Sequence, residues 1–291
     1  MISGSIVALV TPMLESGEVA WSELDALVDW HIAAGTNGIV PVGTTGESAT
    51  LGVSEHLQVI DATVKRVAGR LPVIAGTGAN STAEAIHQTQ EAERLGADAC
   101  LLVTPYYNRP TQAGLIAHYQ AIAGATQGPL VLYNVPPRTA CDMQAETVAE
   151  LAKIDSIVGI KEACGDPERV AQIRARVNED FIVLSGEDAQ TLRMMELGAN
   201  GTISVSANVI PELMVGFTDC CASGDMAAAH ELDARLQVIH AAMFVESSPS
   251  PVKWALQQMG RVSGGIRLPL LPLTTGHQKT VRAALDAVGA L

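Results

Sequence analysis

The chain has 291 residues, 48% of them hydrophobic but only 3% aromatic, with a formal net charge of -13 at pH 7. That composition predicts an Ala/Val/Leu/Ile core, and the charge argues against nucleic acid or an anionic membrane as partner. No apolar run approaches the roughly 20 residues of a membrane span.

The start, MISGSIVALVTP, has no basic leader region, and the five cysteines show no CxxC spacing. Both features predict a cytoplasmic protein with reduced thiols. The seven histidines are scattered and no HExxH occurs, so neither a metal nor another cofactor is expected.

Eight short apolar runs follow one another: SIVALV, GIVPVG, PVIAG, ACLLV, PLVLY, IVGIK, FIVLS and GTISV. They begin near residues 5, 38, 72, 99, 129, 157, 181 and 201. Each has the length and apolar continuity of a buried parallel strand. Helix signals lie between them: Ser22-Glu23 is expected to open the first helix, Ser54 to cap the second, and Thr82-Ala83-Glu84 to begin the third. Ala34-Gly35-Thr36-Asn37-Gly38, Leu95-Gly96-Ala97-Asp98-Ala99 and Leu197-Gly198-Ala199-Asn200-Gly201 repeat one pattern, a Gly ending a helix just before a strand. Eight such units with right-handed crossovers close most simply into a TIM (β/α)8 barrel over residues 1–224. The rival is an open doubly wound sheet, but no G-x-G-x-x-G follows the first strand. Apolar-periodic stretches at 225–244, 251–259 and 277–288 predict a C-terminal helical domain over 225–291, an appendage packed on the barrel. Ser247-Ser248-Pro249-Ser250-Pro251 reads as a tight turn between its helices.

In such barrels the chemistry sits where strands end. The second strand ends in Gly43-Thr44-Thr45-Gly46-Glu47-Ser48, a Gly-flanked pair of hydroxyls able to hold a carboxylate. A phosphate cradle is the other reading, but the motif fits neither the Walker nor the dinucleotide pattern. The fourth strand ends in Thr104-Pro105-Tyr106-Tyr107, the fifth in Tyr133-Asn134-Val135-Pro136-Pro137-Arg138-Thr139, and the sixth in Lys161. Of five lysines, Lys161 alone follows a buried-looking strand, whereas Lys253 falls in an amphipathic stretch. A lysine held against low-dielectric surroundings has its charged form disfavoured, and the neutral amine can form a Schiff base with a ketone. The bland alternative is a strand-end lysine paired with Glu162. Three of the four tyrosines stand at strand ends and Tyr119 lies in a helix. Each could be a rim residue, but together at one mouth they suit proton transfer during imine formation. Arg138 offers a carboxylate fork, or is a loop charge.

The motifs GTTGES, TPYYNRP, YNVPPRT, GIKEACGD and PVKWAL together resemble those of the dihydrodipicolinate synthase family, from residue 2 to about residue 275. GTTGE and GIKE are shared with other pyruvate-dependent Schiff-base aldolases, whereas NVPxRT marks the synthases. The resemblance implies a homotetramer, a dimer of dimers, that condenses pyruvate with aspartate 4-semialdehyde in lysine biosynthesis. It implies the imine on Lys161, the pyruvate carboxylate on Thr45 with Thr44, and a proton relay of Thr44, Tyr133 and Tyr107, the last reaching into a partner's site. Arg138 would bind the semialdehyde carboxylate, and main-chain groups near Gly186 and Ile203 would line the pocket. The family's site for L-lysine as inhibitor maps to Ser48, Ala49, His56, Asn80, Glu84 and Tyr106, with Val53 where well-regulated members carry histidine. Without the resemblance, Glu84 reads as a first-turn acid and His56 as a solvated helix residue. Two further readings stand beside the synthase. One is an aldolase for a sugar acid, which has less need of Arg138. The other is a non-catalytic sensor of keto acids or lysine, which would have no use for a relay.

Overall fold

Eight parallel strands make one sheet in the computed structural model, which describes residues 2–291. They are β1 (Gly4–Ala8), β2 (Gly38–Val40), β3 (Ile74–Gly76), β4 (Ala99–Val103), β5 (Leu130–Asn134), β6 (Ile157–Glu162), β7 (Ile182–Ser185) and β8 (Gly201–Ser204). Their spatial order is β2-β1-β8-β7-β6-β5-β4-β3, and a parallel bridge between Ile39 and Val73 closes the sheet into a barrel. β3 starts two residues into its apolar run: Pro72 has no N–H to donate, and the Val73 N–H goes to Asp98 Oδ2 at 2.8 Å. The Pro72 carbonyl instead accepts from the Ile39 N–H at 3.0 Å.

Strand alternation divides the core in two. Ile6, Val40, Leu101, Val131, Leu184 and Ile203 fill the barrel interior, while Val7, Ile39, Leu102, Leu132, Ile160 and Val183 pack under the helices. The helices of that outer ring are α1 (Trp21–Ala33), α2 (Val53–Val67), α3 (Thr82–Arg94), α4 (Gln112–Ala125), α5 (Pro136–Thr139), α6 (Ala145–Leu151), α7 (Arg169–Arg174), α8 (Thr191–Glu196) and α9 (Pro211–Ser223). Three further helices follow: α10 (Met226–Ala242), α11 (Ser250–Gln258) and α12 (Thr275–Val288). α10 packs on α9 and α12, and α11 on α12 and the turn after β8. The fold is thus a (β/α)8 barrel carrying C-terminal helices.

Two expected caps fall elsewhere. Ser54 is the second residue of α2, whose first turn hangs from the Gly52 carbonyl, which accepts the His56 N–H at 2.9 Å. Ser22 is likewise inside α1, because the Ala20 carbonyl already accepts from Glu23 and Leu24. For α3 the cap is Ser81, one residue before the expected start, and its hydroxyl accepts the Glu84 N–H. Gly35, Gly96 and Gly198 all have left-handed φ, of +78°, +91° and +102°, as their place after a helix end requires. Among the described residues no helix is long and apolar enough to cross a membrane.

Candidate active site

Parallel pairing of β5 with β6 sets Tyr133 directly beside Lys161, and the Lys161 Nζ lies 4.3 Å from the Tyr133 ring centroid. Both side chains point into the barrel and are buried, at 6% and 7% exposure. The same alternation turns Glu162 to the outer face, where it accepts from Asn134 Nδ2 at 3.0 and 3.2 Å. Burial pushes the Glu162 carboxyl up to about 7, although Arg169 and the Asn134 hydrogen bond pull the other way. The bland pairing of Lys161 with Glu162 therefore does not form. Gly186, at the end of β7, leaves the space that Lys161 occupies: a Cβ there would stand 2.8 Å from the Lys161 Cε and 2.8 Å from the Ala163 Cβ.

Lys161, Tyr133, Thr44, Thr45, Arg138 and Gly186 come together around one cavity of about 50 Å³. Ile203 does not line it. It is buried in the barrel interior below, and Val205, just past the end of β8, reaches the wall instead. A neighbouring cavity of about 330 Å³ is walled by Ser48, Ala49, His56, Glu84 and Tyr106, with Val53 on its rim. Thr44, Val135 and Arg138 are common to both cavities.

The three strand-end tyrosines stand at the same end of the barrel but do not face one cavity. Tyr133 lines the smaller cavity and Tyr106 the larger, while Tyr107 takes a positive φ of 74°, is 89% exposed and lines neither. Asn80 also lines neither; its carbonyl accepts from Asn108 Nδ2 at 2.8 Å and so ties the loop after β3 to the loop after β4. His56 is no solvated residue. It is buried, and its Nε2 lies 2.7 Å from the Gly76 carbonyl, so that nitrogen carries the proton and donates. Burial lowers its pKa, which keeps the ring neutral. Glu84 is exposed, and its Oε1 accepts from Gln88 Nε2 at 3.0 Å.

A second buried lysine corrects the expectation that Lys161 alone would be so placed. Lys253 of α11, with 2% of its side chain exposed, is ion-paired with the fully buried Glu47. Glu47 sits in the left-handed region at φ 58°, and its other oxygen accepts from the Arg267 N–H at 3.1 Å. The Arg267 guanidinium in turn grips Glu55 at 2.6 and 2.7 Å and the Thr50 carbonyl at 3.0 Å. The loop that presents Thr44 and Thr45 is thereby fastened to the C-terminal helices. Both partners stand in motifs already noted, GTTGES and PVKWAL, each as the only charge of its motif. Their pairing across 206 residues had no sequence signal. Phe244, Ser248 and Glu187, which also line the smaller cavity, were missed for the same reason.

The profile of the dihydrodipicolinate synthetase family matches residues 1–288. A 4-hydroxy-tetrahydrodipicolinate synthase of Ectopseudomonas mendocina is 54% identical over the whole of both chains. Among solved structures, the chloride-inhibited dihydrodipicolinate synthase of Acinetobacter baumannii complexed with pyruvate is 50% identical, superposes with a TM-score of 0.98 and is covered completely, as is this chain. The lysine-bound enzyme of Cyanidioschyzon merolae is 40% identical, with a TM-score of 0.96 and 99% of each chain covered. The chain belongs to the dihydrodipicolinate synthetase family.

Proposed function

We propose that this chain condenses pyruvate with L-aspartate 4-semialdehyde through a Schiff base, giving 4-hydroxy-tetrahydrodipicolinate in the diaminopimelate route of lysine biosynthesis. One observation carries the reading: a buried lysine without a carboxylate partner among the described residues, set against a buried tyrosine, in a cavity that also holds two threonine hydroxyls and an arginine. The pyruvate-bound A. baumannii relative supports the first substrate.

In this reading the neutral Lys161 amine attacks the pyruvate ketone, and water leaves after proton transfers to and from the same oxygen. Tyr133 is the near proton carrier, with Thr44 beside it and Tyr107 supplied by a second protomer. Thr45 and Thr44 hold the pyruvate carboxylate. The imine draws electrons from the pyruvate methyl, which loses a proton and attacks the aldehyde as an enamine carbon. Main-chain groups at Gly186 and Ile203 support the bound pyruvate, with Ile203 acting from below the cavity wall. The protein acts in the cytoplasm as a homotetramer, a dimer of dimers, with residues 1–224 as the catalytic domain and 225–291 as the helical one.

Arg138 takes the semialdehyde carboxylate. A charge-assisted contact of this kind contributes about 1.5–3 kcal/mol, so Arg138→Ala should raise KM for the semialdehyde by roughly 10–150-fold. KM for pyruvate should stay close to the parent value. Equal changes for both substrates would place Arg138 in loop support and undo this assignment.

The larger cavity suits an α-amino acid. Glu84 would take an ammonium, while Tyr106 and the Asn80 region would take a carboxylate, with Ser48, Ala49 and His56 as walls. The lysine-bound C. merolae relative supports L-lysine as the occupant. Its effect on catalysis would pass through Thr44, Val135 and Arg138, the wall shared with the smaller cavity. Titration calorimetry should show L-lysine binding that Glu84→Ala weakens by roughly tenfold or more, as expected for loss of a charge-assisted contact. No binding heat at millimolar lysine would make the chain insensitive to feedback.

A further inference from the structure

Glu187 is the only residue with a carboxylate among those lining the Lys161 cavity. Its main chain is held firmly. The N–H donates to Ser185 Oγ at 3.2 Å, and the carbonyl accepts from Ser185 Oγ at 3.0 Å, Thr191 Oγ1 at 3.1 Å and the Gln190 N–H at 3.0 Å. The carboxylate itself has no hydrogen bond and no ion pair among the described residues. The adjacent Asp188 differs: its Oδ2 accepts from the Val205 and Ser206 N–H groups at 3.0 and 2.8 Å, which is a structural role. A rigidly mounted acid with a free head in a reactive cavity is poised for a ligand's cationic group.

Resting on the condensing reading above, we propose that Glu187 binds the α-ammonium of the semialdehyde and accepts its proton, so fixing specificity for an amino-bearing aldehyde. The second substrate carries three groups. Its aldehyde meets the enamine, its carboxylate meets Arg138, and its ammonium still needs an anionic partner. The ammonium also has no lone pair, so ring closure requires its deprotonation. Proton transfer converts –NH3+ and the Glu187 carboxylate into –NH2 and a carboxylic acid. The amine then forms a bond to the imine carbon, and the bond from that carbon to the Lys161 Nζ breaks. The lysine departs as –NH3+, the ring nitrogen is left as a neutral imine, and Glu187 returns its proton to water. Burial raises the Glu187 pKa despite opposing pulls from Lys161 and Arg138, which suits a carboxylate that must hold a proton transiently.

The test compares the full-length parent with Glu187→Gln and Glu187→Asp, using aspartate 4-semialdehyde and 4-oxobutanoate, the same aldehyde acid without the amino group. Glu187→Gln should lower kcat/KM for the semialdehyde by about 10²-fold, in the range of a lost proton-transfer group. It should leave inhibition by 4-oxobutanoate and the pyruvate-dependent borohydride label on Lys161 unchanged, and Glu187→Asp should recover part of the loss. Unchanged semialdehyde kinetics with the label intact would overturn the role of Glu187 alone. Weakened 4-oxobutanoate binding would overturn it too, by exposing a general packing role. Absence of the label in the parent chain would sink the condensing reading, and this inference with it.

Discussion

Lys161→Ala should lose the pyruvate-dependent borohydride label and reduce turnover by more than about 10⁴-fold, beyond what a single proton-transfer group supplies. Peptide mapping of the parent chain should find the adduct at Lys161 alone. The structure sharpens this expectation, since the chain has two buried lysines and not one. Lys253 has its ammonium engaged by Glu47 and does not line the cavity, whereas Lys161 faces the cavity beside a phenol. An adduct at Lys253 would sink the assignment. The same variant tests the second protomer. Tyr107 is 89% exposed and away from its own chain's cavity, so a Tyr107→Phe chain mixed with a Lys161→Ala chain should regain part of the activity through hybrid sites. No recovery after subunit exchange would confine each site to one chain.

Truncating Lys253 should have the largest effect on stability. Lys253→Ala leaves Glu47 buried and unpaired, a loss of about 3–5 kcal/mol by the usual cost of breaking such a pair. For a chain of this size the melting temperature should drop by roughly 6–20 °C. Burial lowers the pKa of Lys253 while Glu47 opposes the shift, as expected of a charge kept only by its partner. Replacing both partners, Glu47→Gln with Lys253→Met, should restore much of the stability, because no lone charge is then left in the core. Loss of under about 1 kcal/mol in Lys253→Ala would mean that Glu47 is relieved by water or by protonation. Because Glu47 follows Thr44 and Thr45 in a strained left-handed turn, residual enzyme should also show a raised KM for pyruvate.

Much of the barrel could be read from the chain because its signals are local. Eight apolar runs, the Gly after each of three helices and the late helical periodicity depend only on neighbours along the chain, and the observed strands begin within two residues of the runs. Pairing of Tyr133 with Lys161 was also within reach, since consecutive strands of a barrel are adjacent and alternation decides which side chains share the interior. The caps were harder. Ser22 and Ser54 are good cap residues by type, but the carbonyls of Ala20 and Gly52 began the helices first.

What only the tertiary structure decided is where side chains from distant segments meet. Strand-end position does not fix orientation once a residue lies beyond the last ladder hydrogen bond: the positive φ at Tyr107 turns it outward, while Tyr106 lines a cavity. Sequence could show Lys253 and Glu47 as odd charges in two motifs, but not that they meet across 206 residues. Nor could it separate Glu187 from Asp188, two neighbouring acids in one turn. Backbone N–H groups from after β8 capture one of them, and the other is left free beside the lysine. Local propensity has no access to such choices, because the groups that make them come from remote parts of the chain.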